Sequence, residues 1–421
     1  PTRSSSTGSS SSRSSAIQSD RVAVIDHSDI LKAQERLVGV LVPTPLEKSA
    51  SLSELAAREI SLKPEHRQRT GSYKIRGAYN KISQLEQACE VVAASAGNHA
   101  QGVARAARLA GHRATIFMPA SAALPKIQAT RADGATVHLE GATVDDAIVL
   151  ARAYAKTSGA ELVHPYDDPL IIAGQGTVGA EIADEIDGRT TVVVPVGGGG
   201  LISGVATAVK AAHPDARVIG VEAAGAAAMR ASLDRGKLVR LDHISTIADG
   251  IAVKAPSELT LAHVQARVDD VVTVTDDEIS RAMILLLERV KAVVEPAGAA
   301  SLAAILSGKV PGDGPVVAII SGGNVDPILL IRLIEHGLTA AGRYLVLRIV
   351  VVDHPGELAH LTDAVARLGL NVLDVEHHRL GLKLGVDKVA VMMTLETRDQ
   401  THRDEAVRAL RDAGFEVQPV E

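Results

Sequence analysis

The chain is short of the residues that build several common kinds of protein. It has one cysteine, Cys89, and no tryptophan, and aromatics make up 2% of its 421 residues. A lone cysteine excludes an intrachain disulfide and the usual cysteine-rich zinc sites, and it suits a reducing cytosol. So few aromatics leave no stacking platform for nucleic acid, and a formal net charge of −6 supplies no basic field to attract it. No apolar run approaches the roughly 20 residues needed to cross a bilayer. The expectation is a cytoplasmic chain with neither nucleic acid nor membrane as partner.

What is present is aliphatic. Hydrophobic residues reach 46% and charged residues 22%, enough to fill cores from Ala, Val, Leu and Ile. A chain of 421 residues exceeds one core of ordinary size, so two or three domains are expected. The opening "PTRSSSTGSSSSRSSAIQSD" is Ser-rich and lacks the apolar stretch of a secretory signal, so residues 1–20 are expected to be a disordered tail.

From residue 21 to about 341, apolar strands alternate with helical patterns. "VVAASA" (91–96), "RATIFMP" (113–119), "ATVHLE" (135–140), the valines of "TTVVVPVGGGG" (190–200), "RVIGVEAA" and "VVAIISGGN" (316–324) read as strands. This alternation predicts βαβ units and an α/β protein with mostly parallel sheets covered on both faces. The end differs. "YLVLRIVVVDHPGELAHLTDAVARLGLNVLDVEHHRLG" reads as strand, turn, helix, strand, and "KVAVMMTLETRDQTHRDEAVRALRDAGFEVQPVE" as strand, helix, strand. That is a ferredoxin-like βαββαβ unit beginning near Gly342.

Four stretches carry chemistry. In "RTGSYKIRGAYNKI" (69–82), Ile75, Ala78, Tyr79 and Ile82 have the spacing of a buried helix face, and Ser72 is placed to cap it. The first turn then holds Lys74 and Arg76 against the partial positive charge of a helix N-terminus, a cost of up to ~1 kcal/mol for a lysine. Lys74 is therefore either an ordinary solvated side chain or not a free ammonium. "SAGNHAQGVA" (95–104) sets Ser95, Asn98, His99 and Gln101 where a strand gives way to a helix. They could donate to a carboxylate together with the helix's free N–H groups, or Ser95 or Asn98 could simply cap.

"VVVPVGGGGLISGVATAV" places Gly197, Gly198, Gly199 and Gly200 between a strand and a helix, where backbone N–H groups can converge on an anion. No Lys-Ser/Thr pair follows, so this is not a P-loop. Gly198-x-Gly200-x-x-Ser203, with Glu222 ending the next strand, comes near a dinucleotide fingerprint but lacks its third glycine. An NAD-linked oxidoreductase using Gly198–Ser203 stays open on that ground. "IISGGNVD" (319–326) puts Ser321, Gly322, Gly323 and Asn324 at the C-terminal end of a strand, the edge where open α/β sheets bind ligands.

With these four motifs in this order, the chain resembles the pyridoxal-phosphate (PLP) enzymes of fold type II. Among them it is most similar to the threonine ammonia-lyases (threonine dehydratases) that carry one C-terminal ACT domain. "HPYDDPLIIAGQGTVGAEI" and "EPAGAASLAA" also resemble family sequence, so the likeness runs from about Val42 to Val420, with Tyr73 where Phe is more usual. The resemblance implies a large PLP-binding domain from residues 21–89 and 168–341, a small domain at 90–167, and an ACT-like regulatory domain at 342–421.

The site residues follow from the same resemblance. Lys74 would carry the PLP covalently and, once freed by the substrate, act as the general base on Cα. The N–H groups of Gly197, Gly198, Gly199, Gly200 and Leu201 would hold the phosphate. Asn98 would bond the ring hydroxyl, and Ser321 would face the ring nitrogen. Ser95, Ala96, Gly97, Asn98 and His99 would clasp the substrate carboxylate. The implied reaction turns L-threonine into 2-oxobutanoate, or L-serine into pyruvate, with release of ammonia.

Sister enzymes of the fold differ at named positions. The synthases place Asp where Ile75 stands, and the serine racemases place a second serine where Ala96 stands. The racemases' metal site would use Glu222 and the backbone at Ala226, but its expected acidic residue is Ala228. In the ACT-like unit, Asp353, Pro355, Gly356 and Glu357 would lie at an effector-binding turn, with Asn371 beginning the next strand. Such a unit implies a homo-oligomer, dimer or tetramer, and an amino-acid effector. "EHH" (376–378) reads as surface, because adjacent strand residues cannot all face one ion.

Overall fold

Strands rich in β-branched residues, buried on both faces, set the frame. In the computed structural model, which describes residues 24–86, 89–340, 342–378, 385 and 387–420, the Ser-rich stretch 1–20 lies outside the described residues. A six-stranded sheet runs in the order Glu47–Lys48, Ile60–Lys63, Val316–Ile319, Thr191–Pro195, Arg217–Ala223, Asp270–Val274. Every pair in it is parallel except the first. Val193, Ile219 and Val221 enter one core, while Val192, Val194 and Val218 enter another. That alternation is why these strands read as continuous apolar runs: each face meets its own layer of helices.

A second sheet takes its strands from between those of the first. Thr136–Leu139, Arg113–Met118, Glu90–Ala94 and Glu161–Leu162 pair in that order, all parallel. Val91 and Ala93 face one core and Val92 and Ala94 another. The Lys74–Ile82 helix precedes this sheet in sequence, yet its Ile75, Ala78 and Ile82 pack into the Val91–Ala93 core. It crosses the Pro169–Ala183 helix where two glycines meet: a Cβ on Gly174 would stand 2.6 Å from the Gly77 Cα. Lys74 itself packs on the Asn98–Ala110 helix, where a Cβ on Gly102 would stand 3.1 Å from its carbonyl carbon, so the Lys74–Ile82 helix lies at the junction of the two sheets.

Arg76 lies on that junction and is fully buried. Its guanidinium donates to Glu65 Oε1 at 2.7 Å and Oε2 at 2.8 Å, to Glu181 Oε1 at 2.6 Å, and to Thr177 Oγ1 at 2.9 Å. Lys63, also buried, completes the cluster with a 2.5 Å bond to Glu181 Oε2. Two cations and two carboxylates thus balance inside the protein, which is what makes such burial tolerable. The second cation of "YKIR" is structural.

The C-terminal unit has the expected βαββαβ order. Its sheet is antiparallel, ordered Asn371–His378, Lys388–Glu396, Tyr344–Val352, Glu416–Pro419. Helices Glu357–Arg367 and Gln400–Asp412 cover one face through Leu361, Val365, Val407 and Leu410, packed on Leu347, Ile349, Val391 and Met393. Gly356 starts the first helix with φ +100°, a left-handed conformation that glycine adopts without strain. Among the described residues, no helix is long and apolar enough to cross a membrane.

Candidate active site

The carboxyl ends of both parallel sheets face one cleft of about 1190 Å³. Lys74, Ser95, Ala96, Gly97, Asn98, His99, Gly197, Gly198, Gly199, Gly200, Leu201 and Ser321 all line it. Residues more than two hundred positions apart are joined there by backbone contacts. Tyr73 N–H donates to Ser321 O at 3.2 Å, Gly323 N–H donates to Gly71 O at 2.8 Å, and Ser72 bridges Gly322. This corrects the expectation that Ser72 caps the Lys74 helix. The residue before the helix is Tyr73, no side chain caps it, and the buried Ser72 hydroxyl has no partner. The stitching to the Ser321 loop sets the helix start instead.

Lys74 is the first residue of its helix and points into the cleft, with Nζ 3.2 Å from Pro165 O and 5.3 Å from the centre of the Tyr73 ring. Burial pushes its ammonium down to about 8, against the smaller opposing pull of Glu295. An amine so placed is part-neutral near physiological pH, which a solvated lysine is not.

Asn98 begins the Asn98–Ala110 helix without capping it; Gly97 precedes it, and the Gly97 N–H donates to Ser95 Oγ at 3.1 Å. The Asn98 side chain is held from both ends. Its Nδ2 donates to Glu295 Oε1 at 2.5 Å, and its Oδ1 accepts from Asn324 Nδ2 at 2.7 Å. In the sequence Asn324 stands only as the last residue of the Ser321–Asn324 motif and Glu295 only as the first of "EPAGAASLAA", and neither has a role there. Glu295 is buried, and desolvation, reinforced by Asp249, pushes its carboxyl up to about 7. A signal was available: one carboxylate amid "AVVEPAGAASLAA" must find a partner if that run is core. His99 is buried, and its Nε2, 2.8 Å from Val163 O, carries the proton; burial and Lys74 push the ring down to about 3 and keep it neutral.

The glycine loop fits an anion cradle on steric grounds. A Cβ on Gly198 would lie 2.2 Å from the Tyr166 ring, one on Gly199 2.7 Å from Met229, and one on Gly200 2.9 Å from Tyr166. Gly199 also has φ +92°, and the helix Gly200–Ala212 begins there with its first N–H groups turned to the cleft end. A loop bare of side chains, in one cleft with a half-buried amine, fits a phosphorylated aldehyde such as PLP. The dinucleotide reading loses its acid: the Glu222 carboxylate accepts from Met229 N–H and Arg230 N–H, both at 2.8 Å, and so caps the Ala228–Arg235 helix.

The regulatory candidates are placed differently. Asp353, Pro355, Gly356 and Glu357 cluster at the turn after Val352, where Asp353 N–H donates to Asp387 O at 2.8 Å. Asn371 pairs with Glu396, opposite Tyr344, at the other end of the same sheet. The nine-residue strand between those ends spans roughly 26 Å at ~3.3 Å per residue, so one copy does not bring Asn371 to the turn.

Comparison with known proteins gives concordant matches. Residues 39–322 match the family model for pyridoxal-phosphate-dependent enzymes, and residues 345–415 match the ACT domain model. An L-threonine ammonia-lyase of Thermotoga maritima is 47% identical over 401 residues, covering 94% of this chain and all of the relative. Among solved structures, the processed form of threonine deaminase isoform 2 from Solanum lycopersicum is 37% identical with a TM-score of 0.69, covering 75% of this chain and 90% of that one. A maize serine racemase is 35% identical with a TM-score of 0.71, covering 76% and 99%.

Proposed function

The chain belongs to the family of pyridoxal-phosphate-dependent enzymes, and we propose that it deaminates L-threonine to 2-oxobutanoate and ammonia in the cleft between its two parallel sheets. The observation that carries this reading is Lys74: a half-buried amine held near pKa 8, at the start of a helix, in one cleft with a loop on which only glycine fits. Lys74, the N–H groups of Gly197–Leu201, Asn98 and Ser321 are the residues that would hold PLP. When bound, PLP withdraws the electron pair left behind as the Cα proton departs.

The chain's own residues do the rest. Lys74 Nζ, part-neutral inside the cleft, takes the Cα proton of the substrate as general base. The loop Ser95–His99 receives the carboxylate at the start of the Asn98–Ala110 helix, where free N–H groups and the helix dipole favour an anion. His99 stays neutral with its proton spent on Val163 O, so it orients the loop and moves no proton. Glu295 and Asn324 fix the Asn98 amide so that its orientation is set before anything binds. Ala96 offers no proton to the opposite face of Cα, which supports elimination over racemisation.

The domain division taken from sequence serves this reading: large domain 21–89 and 168–341, small domain 90–167, ACT domain 342–421. An effector that touched both the Asp353–Glu357 turn and Asn371 would take them from two copies, which supports a homo-oligomer, dimer or tetramer, with an amino-acid effector between ACT domains. The lone Cys89 supports a cytoplasmic setting. The test is 2-oxo acid release by the purified protein supplied with PLP. Rapid 2-oxobutanoate formation from L-threonine is expected, and its absence from threonine and serine alike, with PLP bound, would overturn the proposal.

A further inference from the structure

A lysine outside all four motifs stands over the substrate loop. Lys126 lies on the Leu124–Ala132 helix, and its Nζ is 4.0 Å from the point a Cβ on Gly97 would occupy. Across the cleft, Asp249 Oδ2 accepts from that ammonium at 2.5 Å. The two ends of the pair differ: the Lys126 side chain is 15% exposed and that of Asp249 60%. The ammonium is therefore the inner partner, and the carboxylate holding it is largely solvated and holds it weakly. Lys126, Asp249 and Glu295 line both the main cleft and a neighbouring cavity of about 470 Å³, so the pair sits on their shared wall.

From this arrangement we infer that Lys126 is a specificity-determining residue whose ammonium, tethered by Asp249 above the Ser95–His99 loop, receives the carboxylate of the amino-acid substrate. The inference rests on the deaminase reading and deepens it. A cation here offsets the negative charge that faces the loop. Glu295 and Asp249 face this spot; Glu295 is held toward its neutral form, so Asp249 is the carboxylate an incoming anion would meet, and Lys126 offsets it beside the partial charges of the loop N–H groups. Of the other cations lining the cleft, Arg240 and Lys254 both pair with Asp145, at 2.9 Å and 3.1 Å, and the Arg152 charge acts on His164 and Tyr166, whereas Lys126 is the one beside Gly97. On binding, the substrate carboxylate shares the Lys126 ammonium with Asp249, and no bond is made or broken in the chain.

The test compares L-threonine with L-threonine amide, reading ammonia release from holoenzyme. Wild type should prefer the acid. Lys126→Met should raise KM for L-threonine by about 10- to 100-fold, the worth of one charged hydrogen bond. The loss should fall on KM rather than kcat, and the preference for acid over amide should shrink by a similar factor. Lys126→Arg should restore both, and Asp249→Asn, which keeps the cation, should keep the preference. If the pair merely tied the two units together, Lys126→Met and Asp249→Asn would fall alike with the acid-to-amide ratio unchanged, and the inference would be overturned. A wild-type protein that binds PLP but releases no ammonia from threonine would fail the deaminase reading instead, which is a separable outcome.

Discussion

The two ends of this chain handle charge in opposite ways. In the body built on the two parallel sheets several charged groups are inside: Arg76 and Glu65 are 0% exposed, and Lys74, Glu295 and Glu222 are driven toward their neutral forms. In the C-terminal unit the ion pairs lie outside, as with Arg367 and Asp363, 69% and 61% exposed. The cause is topological. Parallel sheets need helices on both faces, so residues at their strand ends are enclosed and must be paired or shifted. An antiparallel sheet covered on one face leaves the other open, as half-exposed Val346, Arg348, Met392 and Thr394 show. Enclosure suits proton transfer; an open sheet suits contact with another surface.

That contrast can be broken by experiment. The largest effect should come from Lys74→Ala, which should cut kcat for L-threonine by more than about 10³-fold while leaving the circular dichroism spectrum unchanged. Next, Arg76→Met should leave Glu65 buried without its cation and destabilise the fold by about 3–5 kcal/mol in denaturant titration. Arg367→Met, the matched change in the C-terminal unit, should cost under about 1 kcal/mol. Equal losses for the two arginines would dissolve the comparison.

Smaller effects sharpen it. Gly198→Ala forces a methyl onto the Tyr166 ring and should weaken PLP binding by about 10-fold or more, the equivalent of at least ~1.4 kcal/mol, read by cofactor titration. Glu295→Gln should act through pH. Burial raises the Glu295 carboxyl from 4.5 to about 7, so the folded chain binds that proton more tightly than the unfolded chain does. The stability it contributes is present in full below pH 4.5 and is lost as pH rises through 7. Melting temperatures of wild type should therefore fall relative to Glu295→Gln across that window; parallel curves would show that Glu295 is not held in this state.

Much of this was legible in sequence because the signals were local. Valine runs with glycine ends marked the strands and their ligand-binding edge, and the change to a βαββαβ rhythm marked the last unit. Lys74 announced itself by standing where a helix dipole disfavours it. What escaped were residues whose meaning depends on distant partners. Glu295 and Asn324 matter through Asn98, Arg76 through Glu65 and Glu181, and Lys126 through a loop some thirty residues before it and an aspartate far along the chain, Asp249. Ser72 misled for the same reason: a serine before a helix pattern is a cap by local rules, but a backbone bridge to Gly322 claimed its segment.

Of the three lysines lining the cleft, Lys74, Lys126 and Lys254, the proposed function assigns the reaction to Lys74. Borohydride reduction of the holoprotein, followed by mass mapping of its peptides, tests it most directly. One cofactor-sized increment is expected on the peptide containing Lys74, with Lys126 and Lys254 unmodified. An increment at another lysine, or none in a protein that has bound PLP, would contradict it.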